Sequence, residues 1–182
     1  MGVATLTIEL PSQQSLMENN LRRWSEVLSD PRLARLEQRI ETDRFGNIIM
    51  SPPPSAHHGS YQFRIGALLD RNLKLGRVVT ECPISTADGV KAADVAWASP
   101  ERVLELGNQV CFPHAPDICV EIISPGNTEA EIREKTSLYF DAGAREVWHC
   151  TEKGEVIFLH AGEARPRHHS EICPRFPARV EL

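Results

Sequence analysis

Apolar positions along the chain change their spacing several times, and each change marks a predicted element. From about Ser15 to Arg39, the residues Leu16, Leu21, Trp24, Leu28, Leu33 and Leu36 stand among many charges at helical intervals. Asp30-Pro31 interrupts them, because a residue before proline is pushed out of the helical region. The stretch ETDRFGNIIMSPPP reads as a β-hairpin: Phe45-Gly46-Asn47 supplies turn chemistry, Ile48-Ile49-Met50 a strand, and the prolines a stop. A helix is predicted from Ala56 to about Leu75, with Tyr61, Ile65, Leu68, Leu69, Asn72 and Leu73 on one side and Gly76 as its C-terminal stop.

Strands follow at Arg77–Thr80, Val90–Ala98, Asp117–Ile123, Glu146–Cys150 and Val156–His160, each rich in Val, Ile, Cys or Trp and bounded by Gly, Pro or Asp. Thr151–Gly154 is the predicted hairpin turn between the last two, and a helix fills the gap before Glu146. That helix is legible in detail. Thr128 and Glu131 form a capping box, Gly143 lies where a C-terminal cap belongs, and Ile132, Thr136, Leu138, Tyr139, Phe140 and Ala142 share one stripe. Strands in pairs with helices between them predict a mixed α/β (α+β) fold with a central mixed sheet flanked by helices. One domain over residues 1–182 is the expectation at this length: an N-terminal helical extension (1–39), a core (40–160) and a less regular C-terminal segment (161–182).

Composition narrows the function. With 20 Lys and Arg against 25 Asp and Glu, the net charge of -5 has the wrong sign for a protein that coats nucleic acid non-specifically, so DNA contact must be local or metal-assisted. Five cysteines, odd in number, widely spaced and without a CxxC pair, indicate neither a disulfide framework nor a zinc ribbon and suit a reducing cytoplasm. The N-terminus lacks a basic stretch followed by a long apolar one, and no segment approaches the roughly 20 apolar residues of a membrane span, so a soluble, unsecreted protein is expected.

Three charged residues stand where charge is costly. Glu121 interrupts the apolar run from Pro116 to Ile123, and carboxylates are rarely buried unless paired or bound to a cation. It is a metal ligand, half of an ion pair, or a strand end reaching solvent. Lys135 lies inside the apolar stripe of the following helix, where it either turns in to Glu121 or snorkels along the surface. Asp94, in KAADVAWAS, begins or sits within a strand that can neighbour the Glu121 strand. Two strand-borne carboxylates make a hard-oxygen site suited to Mg²⁺ or Mn²⁺, and an added lysine completes a set able to cleave phosphodiesters. Asp117 shares strand parity with Glu121, although an aspartate after proline at a strand start more often serves a turn or cap. His57-His58 could ligate a metal, but His58 stands one turn before Tyr61 on the buried face and reads as an inward polar residue or a secondary site residue; the spacing of His149-Cys150 and His168-His169 with Cys173 matches no zinc pattern.

The stretches AADVAWASPERV and APDICVEIISPGNTEAEIREKTSLYFDAGAREVWHC resemble the bacterial Uma family of restriction endonucleases, a branch of the PD-(D/E)XK superfamily. Upstream, Glu41 and Gly46 (spaced E-x-x-x-x-G here), Ser51-Pro52-Pro53 and His58 resemble the family's glutamate-to-glycine hairpin, its S-P-P and its helix-opening histidine, so the resemblance runs from about Ile40 to Leu159. It implies a restriction endonuclease-like core in which Asp94 and Glu121 hold Mg²⁺ (or Mn²⁺), Lys135 is the catalytic lysine, and Glu41 and His58 are accessory residues at the site mouth. It also implies a homodimer. Two positions depart from the superfamily pattern: Ala93 replaces the proline before the aspartate, and Ile123 stands where the lysine normally lies, so Lys135 must reach in from the helix. The expected function is metal-dependent hydrolysis of DNA phosphodiester bonds. The alternatives are a non-catalytic nuclease-fold module that binds DNA or protein, and a phosphodiesterase acting on RNA or nucleotides.

Overall fold

A computed structural model describes residues 12–182. The expectation of a chain start without a leader falls on residues 1–11, outside that range, as does the beginning of the expected N-terminal extension. Among the described residues no helix is long and apolar enough to cross a membrane.

The expected mixed α/β architecture is what the chain adopts. A five-stranded sheet runs in the order β3-β4-β5-β6-β7, formed by Arg77–Thr86, Gly89–Ala98, Ile118–Ile122, Glu146–Cys150 and Val156–His160. Only the β5–β6 pair is parallel, because helix α4 (Glu129–Asp141) carries the chain over the sheet between them. Helix α2 (Ala56–Asn72) covers one face with Tyr61, Ile65 and Leu69, joined there by Cys173, Phe176 and Val180 of the C-terminal segment. On the opposite face α4 packs Tyr139 against Cys119, Val147 and Ala96. Strands β1 (Arg39–Thr42) and β2 (Ile48–Ser51) pair antiparallel, and with α1 (Gln13–Ser29) they form a third apolar cluster around Trp24, Val27 and Val90. The last residue of the expected helical extension, Arg39, is thus already in a strand.

Three elements differ from the sequence expectation. β3 does not stop at Thr80 but continues to Thr86, because Ile84, Ser85 and Thr86 keep pairing with Lys91, Val90 and Gly89 in a long hairpin. α2 ends at Asn72 rather than near Leu75, and Gly76 is not its cap; with φ +105° it opens β3, where a Cβ would collide with the Ala98 carbonyl and the Trp97 ring. A short helix α3 (Pro100–Leu106) was not expected: Ser99 caps it and Pro100 starts it. Gly89 matters for the site. At φ +82°, with no room for a Cβ against the Thr42 and Asp43 carbonyl oxygens, it lets the β1–β2 hairpin lie hard against the tip of β4.

Candidate active site

The site forms where the central strands part. β4 and β5 pair antiparallel up to Val95 opposite Val120, and continuing that register would bring Asp94 opposite Glu121. The ladder stops there. Instead, the Ile122 N–H donates to Asp94 Oδ2 at 2.6 Å, so a side-chain carboxylate accepts from the β5 backbone where the ladder ends. On the other side of β4 the pairing also skips one position, Glu81, whose φ of +48° places a non-glycine residue in the left-handed region. Such a conformation costs on the order of 1–3 kcal/mol and gathers at functional sites.

Around this opening the five sequence-predicted residues converge. Lys135 Nζ lies 2.9 Å from Glu41 Oε1, 3.3 Å from the Ala92 carbonyl and 3.5 Å from both oxygens of Glu121. His58 Nε2 is 3.3 Å from Asp94 Oδ1. Glu41 sits on β1 and accepts the Ala92 N–H at 3.0 Å, which ties the hairpin to β4. The lysine therefore does turn inward, its side chain only 23% exposed, and at a distance set by its closer partner Glu41.

Four further residues complete the arrangement. Tyr139 O–H donates to Glu121 Oε1 at 2.7 Å. Arg39 places Nη1 2.7 Å from Asp94 Oδ1 and Nε 3.0 Å from Glu81 Oε2, the second contact being a charge pair off line for a hydrogen bond. Gln62 bridges Glu81 Oε1 (2.6 Å) and the Asp94 carbonyl (2.8 Å). In the sequence Tyr139 falls in a packing stripe and in the family-like stretch, and no motif marks Arg39, Gln62 or Glu81 as site residues. Their signal was parity: Arg39 is two residues from Glu41 on a strand, Tyr139 four from Lys135 and Gln62 four from His58 on helices.

The remaining candidates lie elsewhere. Asp117 accepts the Ser99 N–H at 2.8 Å at the far end of β5, fixing the start of α3. His149 meets Thr136 Oγ1 at 2.9 Å, and burial lowers its pKa to about 4, so it stays neutral. The five thiols are unpaired and buried, and burial pushes Cys111 and Cys150 up to about 12.

Residues 24–176 match the Uma2 family, described as "Putative restriction endonuclease". The chain belongs to this family. A "putative nuclease belonging to DUF820" from Anabaena variabilis ATCC 29413 shares the fold at a TM-score of 0.64 and 17% identity, over 77% of this chain and 86% of that one. No curated protein matches. Family and fold together support a nuclease. The Uma2 match reaches further in both directions than the motifs quoted from the sequence, taking in Trp24 of α1 and Phe176 of the C-terminal segment.

In this Uma2 chain the electrostatics divide the two central carboxylates. Burial opposes ionisation of Asp94, but the His58 hydrogen bond and the Arg39 guanidinium outweigh it and hold its pKa below the ordinary range. Glu121 goes the other way. Burial dominates, the neighbouring Asp94 charge adds to it, and Lys135, Arg39 and Tyr139 compensate only partly, leaving a pKa of about 7. Its ammonium partner stands at 3.5 Å, too far for a strong hydrogen bond. Burial also works against the Lys135 charge, yet Glu121 and Glu41 hold it above its ordinary pKa.

A divalent cation fits this group in donor chemistry and in charge. Glu41, Glu81, Asp94 and Glu121 face two fixed cations, Arg39 and Lys135, and the donors that converge are hard oxygens. A preformed cage is absent: among the described residues no three or more His, Cys, Asp or Glu side chains are gathered as a ready metal site. Asp94 Oδ1 is held by Arg39 and His58.

Proposed function

We propose that the chain is a metal-dependent endonuclease that hydrolyses DNA phosphodiester bonds at the Asp94, Glu121 and Lys135 group. The observation that carries this reading is the position of Lys135, which comes from α4 rather than from β5 and still brings its ammonium to Glu121 and the Ala92 carbonyl. Asp94 and Glu121 would hold Mg²⁺ or Mn²⁺, and such an ion supplies Lewis acidity at a phosphate oxygen. Lys135 donates hydrogen bonds that orient the attacking water and offset negative charge growing on the phosphate. Glu41 holds that ammonium in place through its 2.9 Å contact, and His58 does the same for the Asp94 carboxylate. The water oxygen joins phosphorus, one P–O ester bond breaks, and the leaving oxygen takes a proton. Two copies of the chain acting together would account for cleavage of both strands.

A second reading is favoured by Arg39, which takes the Asp94 oxygen a metal would use: a nuclease-fold module that binds without turnover. Supercoiled plasmid incubated with Mg²⁺ or Mn²⁺ separates the two. The nuclease nicks plasmid, EDTA stops it, and Asp94→Asn slows it by about 100-fold or more. Binding without nicking supports the module, and cleavage confined to RNA or nucleotides moves the substrate class.

A further inference from the structure

The guanidinium of Arg39 is the best-anchored cation in the site. Its side chain is 18% exposed, and it spans the Asp94 carboxylate, the Glu81 carboxylate and the Ala92 carbonyl, which Nη2 also contacts. Asp94 is 1% exposed and committed on both oxygens, Oδ1 to Arg39 and His58, Oδ2 to the Ile122 N–H. We infer that Arg39 is a built-in counter-ion that competes with the divalent cation for Asp94 Oδ1, so that the ion binds only when the guanidinium leaves. This inference rests on the metal-dependent reading above.

Three observations carry it. Asp94 Oδ1 already takes two partners, Arg39 at 2.7 Å and His58 at 3.3 Å, which fill its two acceptor positions, while Oδ2 is turned to the Ile122 N–H of β5. Two cations on one buried carboxylate oxygen repel strongly in a medium of low dielectric constant. Arg39 also has somewhere to go: Glu81 is 43% exposed, stands at the rim, and holds Nε by charge alone without a hydrogen bond, so the guanidinium can swing outward while remaining paired. The left-handed backbone of Glu81 is what places that carboxylate beside Asp94 outside the regular ladder. In the metal-free protein Arg39 would then stabilise the carboxylate group and weaken its apparent affinity for the ion.

Calorimetric titration of the full chain with Mn²⁺ tests this, with thermal midpoints recorded in EDTA. Charge-assisted bonds of this type correspond to roughly tenfold or more in an equilibrium constant, so Arg39→Gln should bind Mn²⁺ at least about tenfold more tightly than wild type and melt lower in EDTA. Glu81→Gln removes the carboxylate toward which the guanidinium swings, leaves Arg39 more firmly on Asp94, and should weaken Mn²⁺ binding. Asp94→Asn in either background should abolish the heat of binding, and binding that persists overturns the assignment to Asp94. Mn²⁺ affinity equal to or weaker than wild type in Arg39→Gln overturns the competition while leaving the metal reading intact. If wild type and Arg39→Gln both fail to bind Mn²⁺, the metal reading itself falls. Should Arg39→Gln not fold, unchanged or tighter Mn²⁺ affinity in Glu81→Gln decides against the inference.

Discussion

Glu121 is the residue whose protonation the fold controls most directly. Its pKa rises from the ordinary 4.5 to about 7, chiefly through burial, so the folded protein binds that proton more tightly than the unfolded chain does. The resulting stability is fully present below about pH 4.5 and is lost as pH rises through about 7. In EDTA, thermal or urea unfolding of wild type and Glu121→Gln followed from pH 5 to 8 should diverge. The variant gains relative to wild type as pH rises, by on the order of 1–3 kcal/mol. Parallel curves would remove Glu121 as a buried titrating group. Tyr139 is the second test at this scale, since its O–H donates the shortest bond Glu121 receives. Tyr139→Phe should cost about 1–2 kcal/mol in chemical unfolding and move the Glu121 titration higher still, because the lost bond favours the charged form.

The elements explain which parts of this arrangement could be read from the chain. Helix α4 was legible to its ends, with the Thr128 and Glu131 side chains closing the capping box and Gly143 in the left-handed conformation just past the last turn. Thr128→Ala should lower stability by about 1 kcal/mol, a melting shift of about 2–4 °C at this chain length, while leaving Mn²⁺ binding unchanged, since Lys135 lies two turns further on. Glu121 stood out because a carboxylate inside an apolar strand demands a partner, and Lys135 because it broke an apolar stripe. Arg39 broke no pattern. It opens β1 at the end of a polar stretch, and only the period-two alternation from Glu41 points to it. The extension of β3 is hidden in the sequence because the charged Glu81 and then Pro83 follow Thr80, although the hairpin to β4 carries pairing past both. Local propensity lost there to cross-strand pairing.

At the scale of the molecule, the sheet brings together residues far apart in sequence. The β1–β2 hairpin delivers Arg39 and Glu41, α2 delivers His58 and Gln62, the parted ends of β4 and β5 deliver Asp94 and Glu121, and α4 delivers Lys135 and Tyr139. The site therefore belongs to the whole assembly of layers, and disturbing the hairpin should disturb it from a distance. Gly89→Ala, which forces the Thr42 and Asp43 backbone away from β4, should reduce nuclease turnover while its own position stays outside the cleft. In the proposed nuclease Lys135, arriving from α4, does the work of the lysine that the superfamily usually carries two residues after the glutamate. Initial rates of supercoiled-plasmid nicking in Mg²⁺ by wild type and by Lys135→Met, both shown to be folded by circular dichroism, probe that role. Wild type should nick in a metal-dependent way and the variant should lose about 100-fold or more; equal rates in the two proteins would remove Lys135 from the reaction.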